Sequence, residues 1–153
     1  MNQVMEIVRK KPLLFLLVSF CYLFVLGLLK WWFTPTIETL WFVLGGVIGI
    51  YFLDGAEVFF HLSPSPFRSI VFSAAFVIVS LFVVSSSGSA LASGLVLSLF
   101  ITLILWQVGE WRVRGNINEW YRMVAGPVAA NMQRWGIVIF VALFLLETYL
   151  FVR

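Results

Sequence analysis

The chain has 153 residues, of which 62% are hydrophobic and only 11% charged, with a formal net charge of +3. Soluble domains carry about one quarter charged residues, so this composition excludes an ordinary soluble domain. It excludes a nucleic-acid binder as well, because no dense basic run accompanies the seven Trp and 16 Phe.

Several apolar runs approach the ~20 residues needed to cross about 30 Å of hydrocarbon. The expected class is an all-α integral membrane protein: a single domain of five transmembrane helices, with a cytoplasmic interfacial helix between spans four and five. Span one covers 13–33. It follows Arg9, Lys10 and Lys11, with Pro12 in its first turn. Its apolar run is long for a signal peptide and ends in KWWF without a small-residue cleavage site, so it reads as uncleaved. Cys21, the single cysteine, falls in mid-helix and reads as a small apolar side chain.

After a turn at TPT (34–36), span two covers 37–60. Gly45 and Gly49 lie four apart, with Ala56 on the same narrow face, the spacing of a helix-packing seam. Roughly opposite, Asp54, Glu57 and His61 at i, i+3 and i+7 share an arc of about 60°. Counted from the cytoplasmic end at 1.5 Å per residue, Asp54 sits about 9 Å deep. A charged Asp at mid-bilayer costs roughly 2.5–3.5 kcal/mol, so Asp54 is expected to face protein or water, or to be protonated.

SPSPF (63–67) breaks the chain and supplies a Ser cap and a Pro start for span three, 67–84. SSSGS (85–89) is a polar turn. Span four covers 90–109 and repeats a small residue every fourth position: Ala90, Gly94, Ser98 and Thr102. Gly94 and Ser98 are the centre of this second packing seam. Near its end stand Gln107 and Glu110, three apart on one face. The linker 110–134 alternates Trp111, Val113, Ile117, Trp120, Met123 and Val124 with arginines, the pattern of an amphipathic interfacial helix. Asn116 would be its cap and Glu119 its N3 acid. Gly126-Pro127 begins the last helix, whose membrane span covers 135–152. Glu147 falls near its outer end, level with Lys30; an ion pair and an isolated interfacial acid are both open.

Orientation follows the basic residues. With the N-terminus in the cytoplasm, Arg9, Lys10, Lys11, Arg68, Arg112, Arg114, Arg122 and Arg134 fall inside, and only Lys30 and Arg153 outside. The C-terminus is therefore expected outside.

The candidate site is the polar group at the cytoplasmic ends of spans two and four: Asp54, Glu57, His61, Gln107 and Glu110. Three roles compete. The carboxylates answer Arg68, Arg112 or Arg114 as boundary salt bridges; or they form an ion or proton site, with His61 as a relay; or they ligate a divalent metal. The third has few ligands for zinc, and the chain contains neither HExxH nor G-x-S-x-G. Glu57 and Glu110 are expected to approach each other.

The functional expectation is a non-enzymatic membrane protein, either a small transport or channel-like protein or an accessory subunit. A pure scaffold is the alternative, and a membrane-embedded metal enzyme comes third. No cofactor is expected, and no metal is assigned. The expected partners are the lipid bilayer and either further copies of the chain or another membrane subunit, since five short spans enclose little cavity alone.

Overall fold

The structure, a computed structural model, describes residues 13–31, 36–60, 69–86, 88–121 and 129–152. They form α1 (Leu13–Trp31), α2 (Ile37–Phe59), α3 (Ile70–Ser86), α4 (Ala90–Arg114), a 3-10 turn (Asn118–Tyr121) and α5 (Ala130–Val152). Short hydroxyl side chains start three of these helices. Thr39 accepts from the Thr36 N–H at 3.1 Å, Ser69 from Phe72 at 3.1 Å, and Ser89 from Ala92 at 3.2 Å. The start of span three at 67 lies outside the described residues; Ser69 caps the helix observed.

Contacts along the helices fix their directions. Phe15 meets Gly109, Ser73 meets Gln107 and Ile117 meets Gln133 at one end, here the base. Lys30 meets Phe151 at the other, the top. Hence α1, α3 and α5 rise from the base while α2 and α4 descend to it. The hub is α4, which packs on each of the other four helices; α2, α1, α5 and α3 follow one another around it. Consecutive helices α2 and α3 do not pack on each other among the described residues.

The axis is filled. Leu97, Phe100 and Leu103 of α4 are wholly inaccessible, and the Phe100 ring lies 4.5 Å from Phe140, 5.1 Å from Phe144 and 5.6 Å from Phe76. At the top, Phe42 stacks on Phe151 at 5.0 Å, beside Trp31.

The closest approach is between the parallel helices α2 and α4. Gly45 lies against the Leu91 carbonyl, Gly49 against the Leu95 carbonyl and the Ser98 hydroxyl, and Gly94 against the Phe42 carbonyl. A Cβ on any of the three glycines would collide with the facing helix, so only glycine lets these backbones touch. Ser98 fits because its hydroxyl turns back to Leu95 O at 3.1 Å.

Four helices, α1, α2, α4 and α5, are long and apolar enough to cross a membrane. With 17 residues, α3 spans about 26 Å at 1.5 Å per residue, a little less than the ~30 Å hydrocarbon layer.

The region after residue 109 departs from the sequence expectation. Helix α4 continues through Gly109 to Arg114, because EWRVR holds neither proline nor glycine. It stops at Gly115, which adopts φ 74° and donates its N–H to Trp111 O at 2.7 Å. No amphipathic interfacial helix follows among the described residues. The chain makes an Asx turn, with Asn116 Oδ1 accepting from the Asn118 N–H at 3.3 Å, and then the single 3-10 turn. Ile117 and Trp120, expected on a membrane surface, are fully buried. Gln133 of α5 holds them: its Oε1 accepts the Ile117 N–H at 2.9 Å and its Nε2 donates to Asn118 Oδ1. Helix α5 is described from Ala130; its expected start at Gly126-Pro127 lies outside the described residues.

Candidate functional site

Helix α2 brings two acids inside. Asp54 is 2% exposed and Glu57 5%. The sequence suggests a packing face and a separate polar face opposite; the structure encloses both. Gly45 and Gly49 meet α4, Gly46 lies against Leu23 of α1, and the buried arc continues through Ile50, Leu53, Asp54, Glu57 and Val58. Wedged between two neighbours, α2 buries about half its circumference or more, and the acids fall within that arc.

The other members of the expected group part company. Gln107, also 1% exposed, turns to α3, where its Nε2 donates to Ser73 Oγ at 3.4 Å. Ser73 passes its own proton to Ser69 O at 3.1 Å. Gln107 lies about 140–180° around α4 from Gly94 and Ser98, so one helix cannot show α2 both its seam and this amide. Glu110 accepts from Trp120 Nε1 at 2.6 Å and lies 3.5 Å from Arg114 Nη1. The Arg114 side chain is 55% exposed, so this i, i+4 pair contributes little, within ~0–1 kcal/mol. The stronger tie of Glu110 is the indole bond, which anchors the linker turn. His61 lies outside the described residues.

Two further features stand out, of which the first, the serines of α3, was not singled out in the sequence. Along α3, Ser69, Ser73 and Ser80 are all buried, at i, i+4 and i+11, flanking Phe76. They form a hydroxyl stripe facing into the bundle, and their spacing was the available signal. The second feature is Glu147, which is 1% exposed. Lys30 does not answer it: the ammonium donates to Phe151 O at 2.7 Å and sits 5.1 Å from the Phe151 ring. A cation at the C-terminal end of α5 satisfies that helix's unpaired carbonyls. Glu147 instead points among Tyr22 of α1 and Ser80 of α3.

Carboxyls withdrawn from water among helices are the usual material for binding or passing a proton or small cation. Comparison with protein-family models, with curated proteins and with solved structures finds no match to this chain.

Proposed function

We propose that the chain is an integral membrane protein crossing the bilayer five times, N-terminus cytoplasmic and C-terminus outside. In this reading it works as a small transport-type protein or accessory subunit whose α2 acids handle a proton or cation. The observation that carries the function is the burial of Asp54 and Glu57 within an otherwise apolar helix. Membrane insertion is supported by the four long apolar helices and by large side chains such as Leu13, Phe24, Leu40, Phe82 and Leu145 exposed around the bundle. The shorter α3 crosses with modest local thinning of the bilayer. Orientation rests on the eight basic residues on one side against two on the other.

Because α4 fills the axis with Leu97, Phe100 and Leu103, passage would not run down the centre of one bundle. It would run along the α2 flank or at an interface with another copy or subunit, which gives the accessory-subunit reading its weight.

The test is flux. Purified protein is reconstituted into liposomes holding a pH-sensitive dye, and proton entry is followed under an imposed potential, with Na⁺ and K⁺ as alternatives. Wild-type vesicles should conduct at least one of these cations faster than protein-free ones. Asp54→Asn should abolish the difference at unchanged thermal stability. Vesicles indistinguishable from protein-free controls for all three cations would refute the transport reading.

A further inference from the structure

The surroundings of Glu147 point to a second proton site, on helices other than α2. Three hydroxyls lie around it, and the hydrogen bonds fix which way each one points. Thr148 Oγ1 donates to Phe144 O at 2.9 Å. With that proton committed, the 2.8 Å bond between Tyr22 and Thr148 has Tyr22 as its donor. Ser80 Oγ donates to Val77 O at 3.0 Å. Tyr22 and Ser80, which lie beside Glu147, thus both have their protons engaged elsewhere. Neither Glu147 oxygen accepts a hydrogen bond in the described structure.

Such a pocket suits a proton donor. A carboxylate there would lack both water and a hydrogen-bond donor, whereas a carboxylic acid carries no charge to solvate. Among the described residues no opposite charge intervenes. The α1 groups on this side are Tyr22 and, toward the top, Lys30, which is engaged by Phe151 O. From α3 comes Ser80, and α4 presents the Phe100 ring against Phe144. On α5 itself the neighbour is Thr148.

We propose that Glu147 is a proton-binding site: it holds its proton between Tyr22 and Ser80 while α1, α3 and α5 are packed, and yields it to water when α1 or α3 separates from α5. The transfer is a simple dissociation: the O–H bond of the acid breaks, the proton passes to a water oxygen, and the carboxylate remains. The site shares no residue with Asp54 and Glu57, so it stands or falls separately from the flux assay above.

Infrared spectroscopy of the purified protein at neutral pH tests it, through the C=O stretch of a protonated carboxylic acid. The band should be present in the wild type and in an Asp54→Asn/Glu57→Gln variant, and absent when Glu147→Gln is added to that variant. In D2O it should shift with time, showing that the proton exchanges. Should Glu147→Gln fold poorly, Tyr22→Phe and Ser80→Ala, which remove one neighbouring hydroxyl each, should move the band. A spectrum unchanged by Glu147→Gln, or by both hydroxyl variants, overturns the assignment. So does a band that never shifts in D2O, since that proton would be trapped.

Discussion

Replacing Gly94 by alanine isolates the contact on which α2 and α4 depend. The added methyl would overlap the Phe42 carbonyl and lie 3.1 Å from the Gly46 nitrogen. Both are backbone atoms of α2, so no rotamer relieves the clash and the helices must draw apart. Intrinsic propensity acts in the opposite direction, favouring Ala over Gly by about 1 kcal/mol in a helix. Overpacking a rigid site costs about 1–3 kcal/mol, and a backbone obstacle places this one near the top of that range. The net expectation is a loss of about 1–2 kcal/mol. Gly27→Ala in α1 is the matched control, because a Cβ there meets nothing within 4 Å. Only propensity then acts, and stability should rise by up to ~1 kcal/mol. Both variants are compared with the wild type by unfolding in one detergent, followed by Trp fluorescence. Equal stability of Gly94→Ala and Gly27→Ala would refute the argument that backbone contact holds these helices together.

Reporter fusions at residues 63–67 and 111–134 should report the cytoplasm, and those at 34–36, 85–89 and the C-terminus the outside; a cytoplasmic C-terminus would invert the topology. Gln133→Ala strips the fully buried Ile117 N–H of its acceptor, which should cost about 1–3 kcal/mol and open the segment after Gly115 to protease; unchanged cleavage would count against the clamp. Gly115→Ala places a Cβ on a backbone at φ 74° and should lose about 1–2 kcal/mol in the same unfolding assay. Burial raises the Tyr121 phenol above its usual value of 10.0. Its contribution to stability is therefore complete below pH 10 and lost as pH rises through the folded-state value; Tyr121→Phe should flatten that alkaline decline in Tm.

Local chemistry made the helices themselves legible. Runs of apolar residues between TPT, SPSPF and SSSGS announce α1 to α4, because proline, glycine and serine clusters cannot continue a helix without cost. The end of α4 was misjudged for the converse reason. Residues 110–114 turn polar, but polarity does not stop a helix; Gly115 does. Burial of Ile117 and Trp120 depends on Gln133, 16 residues away from Ile117, and no window of local periodicity contains that partner. The small-residue spacing marked Gly45, Gly49, Gly94 and Ser98 as positions of close approach without saying what approaches. Glu147 looked interfacial because it is close to the last residue. Its burial follows from the rotation of α5 against α1 and α3, which only the assembled bundle defines.

The central position of α4 has a consequence for biosynthesis. The helix that all the others require is the fourth to leave the ribosome. Between Phe59, which ends α2, and Arg114, which ends α4, 55 residues must be added. At about 5–20 residues per second this takes roughly 3–11 s. Throughout that interval α2 carries its glycine groove without the surface that will cover it. The groove fits the Gly94–Ser98 stripe of a neighbouring chain that has not yet closed as well as its own. Elongation through α3 and α4 therefore times a competition between closure within one chain and capture by another. A pause there would favour entangled dimers even though the completed monomer is unchanged.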